Sequence, residues 1–167
     1  MSKVILMSGI PGSGKSTLAK GIKGPKSAYI SRDEIRFGMV KETEPYFSKE
    51  DQVFECFIST IKSRIIQGID EIFVDATHLN RNSRAKVMSR LKDFEDIEFE
   101  AIFVATPLEI ALERNEQRAG TRAYVPPEVI ANMYQSLRAP AYSEGFKNIY
   151  IKEVDKVLYL KEKPNNG

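Results

Sequence analysis

The residues most able to do chemistry lie near the N-terminus. Gly9-Ile10-Pro11-Gly12-Ser13-Gly14-Lys15-Ser16-Thr17 has the spacing G-x-x-x-x-G-K-S of a phosphate-binding P-loop. Glycines at these positions let the backbone curl, so that successive N–H groups point inward at phosphate oxygens. Lys15 then reaches the β- and γ-phosphates, and the Ser16 hydroxyl can hold Mg²⁺. The positive N-terminal end of the following helix acts on the same anion. Gly9, Pro11, Gly12, Ser13, Gly14, Lys15, Ser16 and Thr17 are therefore the expected nucleotide contacts. Such a motif needs a strand before it and a helix after it. The apolar run Lys3–Ser8 supplies the strand, and Ser16–Gly21 reads as the helix.

Other groups have two readings each. Asp33 follows a short strand. It suits a base that takes the proton of an attacking hydroxyl, and it equally suits the first turn of a helix, where the dipole favours an acid. Arg36, one turn on, can grip a phosphate with two prongs or lie solvated on the surface. Asp75 ends an apolar strand. It can hold Mg²⁺ through water or bind the phosphoryl acceptor, or merely shape a turn. His78, the only histidine, has no partners of a ligand set nearby and is given no role. Arg81, Arg84, Lys86, Arg90 and Lys92 form a basic run without an acid. A solvated helix face explains it, and so does a groove for a polyanion. Arg114, Arg118 and Arg122 bracket the irregular piece Ala119–Val125, where a lid could close over phosphates. An arginine brought onto a transferring phosphoryl group is worth on the order of 10³–10⁵ in rate, and Arg118 is the best placed.

Strands and helices alternate along the chain. Strands are expected at Ser27–Ser31, Glu71–Asp75, Phe99–Ala105, and either Asn148–Val154 or Val157–Leu160. Ser31 with Glu34, Ser48 with Asp51, and Thr106 with Pro107 read as helix starts. Val53, Phe54, Phe57, Ile58, Ile61 and Ile65 form a wide apolar stripe ending near Gly68. In the last helix, Val129, Ile130, Met133, Tyr134 and Leu137 are expected to face inward. The alternation predicts an α/β fold with a central parallel sheet, helices on both faces and a small lid. Binding then belongs at the carboxyl ends of the strands, where the P-loop, Asp33 and Asp75 converge.

The chain of 167 residues fits one domain, with a lid at about 114–125 and a loose tail at about 163–167. A hydrophobic content of 42% and 29% charged residues are ordinary for a globular protein, and a net charge of +2 implies no particular partner. The single Cys56 excludes an internal disulfide and a cysteine-rich zinc site. No run has the 18 or more apolar residues of a membrane span, and no signal peptide is evident, so a cytoplasmic protein with no membrane partner is expected.

Taken in order, these stretches resemble a known family. GIPGSGKS, Ile30-Ser31-Arg32-Asp33-Glu34-Ile35-Arg36, Asp75-Ala76-Thr77-His78-Leu79-Asn80, Arg114-Asn115-Glu116-Gln117-Arg118, Val125-Pro126 and Met133-Tyr134 look like the 5′-kinase domain of the bacteriophage polynucleotide kinase family. The resemblance runs from the P-loop to about Leu137. It implies ATP- and Mg²⁺-dependent phosphorylation of a 5′-hydroxyl end of DNA or RNA, as in nucleic acid repair. It makes Asp33 the general base and sets Arg36 and Asp75 at the acceptor end. Arg118 becomes the lid arginine. The D-x-D-x-T motif of that family's phosphatase domain is absent, so no phosphatase activity is expected. The lid at Arg118-Ala119-Gly120-Thr121 is one residue longer than the family pattern. The alternative is a P-loop kinase of a small hydroxyl substrate, such as a nucleoside, sugar or antibiotic. A nucleotide-dependent switch or toxin-like partner fits less well, because a switch needs no base for a phosphoryl acceptor.

Overall fold

A computed structural model describes residues 1–165. Its strands are β1 (Ser2–Ser8), β2 (Ser27–Ser31), β3 (Glu71–Asp75), β4 (Ile97–Ala105), β5 (Asn148–Glu153) and β6 (Tyr159–Leu160). Its helices are α1 (Lys15–Ile22), α2 (Arg32–Met39), α3 (Glu50–Ile66), α4 (Arg81–Leu91), α5 (Leu108–Glu116) and α6 (Pro127–Ser136), with a short 3₁₀ turn at Tyr142–Glu144. They form one sheet of order β2-β3-β1-β4-β5-β6. All neighbours are parallel except the β5–β6 pair. Both candidates for the final strand exist, because the chain turns back after β5 and pairs Tyr159 with Ile151.

Side chains of one strand alternate between faces, and β1 is buried on both. Val4 and Leu6 join Phe57, Ile58 and Ile61 of α3 and Val87 and Leu91 of α4. Ile5 and Met7 pack with Ala19 of α1, Phe73, Ile102 and Val104. A central strand buried on both faces reads as a continuous apolar run, which is why Lys3–Ser8 was legible. Among the described residues, no helix is long and apolar enough to cross a membrane.

The order places a switch point between β1 and β3. The chain leaves β1 towards β2 at one edge and leaves β3 towards β4 on the other side. A crevice opens there at the carboxyl ends of the strands. Pairing puts Met7, Asp75 and Ser31 side by side at that edge.

Several local expectations change. α1 runs one residue past Gly21 to Ile22. Ser48 does not cap α3. Its N–H closes a turn onto Pro45, and the helix starts later at Glu50, with Glu50 and Asp51 in its first turn. α4 begins at Arg81, where Asn80 caps it in a reciprocal pair with Ser83. Thr106 does not cap α5. Its hydroxyl donates instead to the Ser13 carbonyl, 2.7 Å away. In α6 only Ile130 is fully buried, and Tyr134 is 41% exposed, because just one edge of that helix meets Ile10 and Ala111. Of the expected tail, Lys163, Pro164 and Asn165 form no regular element, and Asn166 and Gly167 lie outside the described residues.

Candidate active site

The loop between β1 and α1 is held from several sides. Ile10 is buried against Ala111 of α5 and Ile130 of α6. The Gly9 N–H donates to the Thr77 carbonyl, 3.0 Å away. Thr106 and Arg114 both donate to the Ser13 carbonyl, at 2.7 and 3.0 Å. Gly12 has φ +83°, and a Cβ there would lie 2.5 Å from the Ala111 carbonyl oxygen, so only glycine fits. Lys15 is 9% exposed and folds back to donate to the carbonyls of Gly9 and Ile10, at 2.8 and 3.1 Å. Burial lowers its pKa, and the Arg118 charge adds to this. Asp75 and Asp33 act in the opposite sense.

The loop fits a phosphate chain. The Ser13 hydroxyl is buried without a hydrogen-bond partner among the described residues. α1 has no side-chain cap at Gly14, which leaves first-turn N–H groups for an anion. An ammonium has three donors, and two of those on Lys15 are engaged. Among the described residues no cluster of His, Cys, Asp and Glu forms a metal cage. That suits a Mg²⁺ held largely by phosphates and water, with a few protein oxygens. Ser16 and Asp75 both line the crevice and can supply them.

Asp75 is buried at the end of β3 and accepts a short hydrogen bond from the Tyr29 hydroxyl. Burial raises its pKa, partly offset by Lys15 and by that bond. The Tyr29 pKa rises for the same reason, burial first and the Asp75 charge second. Tyr29 and Ser31 stand on one face of β2, so the phenol reaches the neighbouring strand's carboxylate.

Asp33 sits in the first turn of α2, which Ser31 caps by accepting from the Glu34 N–H at 3.2 Å. One of its oxygens takes a short ion pair from Arg36 and a 2.9 Å bond from the Tyr46 hydroxyl. The other oxygen has no partner among the described residues. Arg36 is neither solvated nor free to form a two-pronged phosphate contact. It is 6% exposed, its Nε donates to Glu50 at 2.7 Å, and its Nη1 is shared between Asp33 and Tyr46. Only Nη2 remains for an anion. Burial opposes the charge of Arg36, but Glu50, Tyr46 and Asp33 outweigh it and raise its pKa. Glu50 also takes Arg32 at 3.0 Å, so one carboxylate balances two arginines.

The three arginines around the α5–α6 connection do different things. Arg114 belongs to the P-loop, through Ser13. Arg122 donates to the carbonyls of Phe37 and Val40 at the end of α2 and lies over the Phe37 ring, 4.8 Å from its centroid. Arg118 lines the crevice, and its guanidinium makes no hydrogen bond among the described residues. Asn115, fully buried, ties the two ends of the connection together by pairing with both backbone groups of Val125, at 2.6 and 3.0 Å.

P-loop, Asp33, Arg36, Asp75 and Arg118 all face one crevice of about 470 Å³. Such an arrangement can hold a triphosphate at the P-loop, present a carboxylate to a hydroxyl, and bring a cation onto the group between them.

The basic run is not a stripe. Arg84 is 1% exposed and paired with Glu144. Arg81 bonds Ser143, Arg90 pairs with Glu55, and Lys86 lies 4.5 Å above the Phe54 ring. His78 is buried, with Nδ1 donating to the Met7 carbonyl at 2.6 Å. Thr106, Asn115, Tyr29 and Glu50 carry weight that the sequence hid. Thr106 meets Ser13 across 93 positions, and Glu50 reads locally as a helix-start acid. Only Asn115, a polar residue on the otherwise apolar side of a helix, offered a signal.

The AAA domain family matches residues 4–140. Among solved structures, the fold is similar to a chain of the Pnkp1/Rnl/Hen1 RNA repair complex, with 20% identity and a TM-score of 0.65. That likeness covers 81% of this chain and only 44% of the other. Kti12 from Chaetomium thermophilum, in complex with ADP-AlF3, is 18% identical over 91% of this chain and 89% of its own, with a TM-score of 0.63. A sugar kinase from a Janibacter species is 19% identical over 94% and 87%, also with a TM-score of 0.63. These likenesses establish the P-loop kinase fold, a central, mostly parallel sheet flanked by helices.

Proposed function

The chain belongs to the AAA domain family, and on that premise we propose that it is an ATP-dependent polynucleotide 5′-hydroxyl kinase acting in the cytoplasm. It is read as one kinase domain, with the α5–α6 connection as its lid. The observation that carries the reading is the meeting of three groups in one crevice. They are a buried P-loop lysine, an acid with one open oxygen, and an arginine with no hydrogen-bond partner among the described residues.

ATP with Mg²⁺ supplies the phosphoryl group when bound. Lys15 and the loop N–H groups orient the phosphates, and Ser16 offers its hydroxyl to the metal. The open oxygen of Asp33 accepts the proton of the attacking 5′-hydroxyl, with Arg36 and Tyr46 fixing the carboxylate. Asp75, held by Tyr29, lies between the two sides. Arg118 moves onto the developing charge as the connection closes. Asn115 and Arg122 set where that connection begins and rests.

A kinase of a small hydroxyl substrate is the second reading. The burial of Arg84 favours it, because it removes the polyanion groove, and the similar Janibacter protein is a sugar kinase. Transfer of labelled phosphate from ATP to a 5′-hydroxyl oligonucleotide, a nucleoside and a set of sugars decides. The proposal requires the oligonucleotide to have the highest kcat/KM. A sugar preferred over every oligonucleotide overturns it.

A further inference from the structure

We propose that Phe47 is a stacking platform for the base of the terminal nucleotide that receives the phosphate. The inference rests on the polynucleotide reading and extends it to a specificity residue. Phe47 lines the crevice yet is 56% exposed. It lies on the connection between α2 and α3, on the β2 side of the sheet, whereas the P-loop follows β1.

Its ring is fixed to the groups that handle the hydroxyl. Tyr46 meets it edge to face, with centroids 4.6 Å apart and planes at 85°. The Arg36 guanidinium lies 5.6 Å from its centroid. Tyr46 and Arg36 are the two groups that hold Asp33. The connection itself is tethered, since Lys49 donates to the Met39 carbonyl at 3.0 Å and Lys41 N–H to Glu44 at 3.0 Å. Tyr46 is the poorer platform, because its hydroxyl is engaged and its ring is met by Phe37, Phe47 and the Arg36 guanidinium. Phe47 is more than half exposed and has no hydrogen-bonding group of its own.

A ring more than half exposed, with Arg36 over one side and standing beside the carboxylate that acts as base, has surface left to receive a flat, unsaturated ring. Stacking is tolerant of sequence, because every base has a π-face. Phe47 therefore gives preference for a base over none, without preference among bases.

The test uses two 5′-hydroxyl oligonucleotides, identical except that one has an abasic residue at its 5′ end. The wild-type protein should favour the base-bearing end. Phe47→Ala should raise its KM by roughly 5- to 150-fold, the range expected for one lost base–aromatic stack, and lower kcat far less. KM for the abasic end and for ATP should hardly move, and Phe47→Trp should restore the preference. An unchanged ratio of the two acceptors in Phe47→Ala, or equal losses on both, overturns the platform alone. If the wild-type protein phosphorylates neither oligonucleotide, the polynucleotide reading fails and the platform falls with it.

Discussion

Arg84 closes on Glu144 with both carboxylate oxygens engaged, Nε to Oε1 at 2.8 Å and Nη2 to Oε2 at 3.0 Å, in a place where neither side chain sees more than a trace of solvent. The same guanidinium donates to the carbonyls of His78 and Arg138, each at 2.9 Å. It therefore ties the start of α4 and the loop after β3 to the 3₁₀ turn. Burial is the largest single influence on Glu144 and favours its neutral form, but Arg84, the Ala141 N–H and the Arg81 charge together outweigh it and lower the pKa.

Removing one partner of a buried pair leaves the other charge stranded, at a cost of about 3–5 kcal/mol. Arg84→Ala should lose that much stability. Lys86→Ala on the same helix, which gives up only a cation–π contact over Phe54, should lose about 0.5–1 kcal/mol. Urea midpoints of the two variants separate the roles. An Arg84→Ala protein as stable as the wild type would contradict the buried pairing.

His78 predicts a pH dependence. Its Nδ1 must carry the proton it donates to Met7, and Nε2 is buried without a partner among the described residues, so the neutral ring is the folded form. Burial lowers its pKa to about 4, from the 6.5 of an ordinary exposed histidine. The unfolded chain takes up a proton near 6.5 and the folded one only near 4, so stability falls as pH drops between those values. The full loss is on the order of 3 kcal/mol. Asp75, whose pKa is raised, works in the opposite direction as it takes up a proton. His78 has φ +41°, which asparagine tolerates. His78→Asn should flatten the slope of stability against pH over that window. An equal slope in both proteins would assign the dependence to other groups.

What the sequence made legible was what local spacing carries. The P-loop, β1 to β3 and the α3 stripe follow from period and from glycine placement. The sequence placed Asp33, Asp75 and Arg118 at strand ends or loop edges, and in the structure they face one crevice. It did not reveal which charges are engaged. Arg36, Arg84, Arg114 and Arg122 all read as available cations, yet each is taken by a carboxylate or carbonyl distant in the chain. Such pairings depend on topology, because α3 must return beside α2 before Glu50 can meet Arg36.

The α5–α6 arginines should differ in kinetics. Arg118→Ala should lower kcat by on the order of 10³ with little change in KM for ATP, since its charge is felt mainly in the transition state. Arg118→Lys should also fail largely, because an ammonium lacks the planar fork. Arg114→Ala should instead weaken ATP binding, by roughly tenfold for one lost charge-assisted bond, because it loosens the Ser13 carbonyl. Steady-state kinetics with titration of ATP binding distinguishes them. Equal kcat losses in both would mean that Arg118 shares the scaffold role of Arg114.

The most direct measurement is transfer of labelled γ-phosphate from ATP to a 5′-hydroxyl oligonucleotide by Asp33→Asn, beside the wild type, with ATP affinity measured on both. Asparagine keeps the side-chain shape and an oxygen for Tyr46, but it cannot take the hydroxyl proton. The account predicts a fall in kcat of roughly 10²–10⁴ with ATP affinity unchanged. An Asp33→Asn protein with wild-type kcat, or one that is merely less stable, would contradict it.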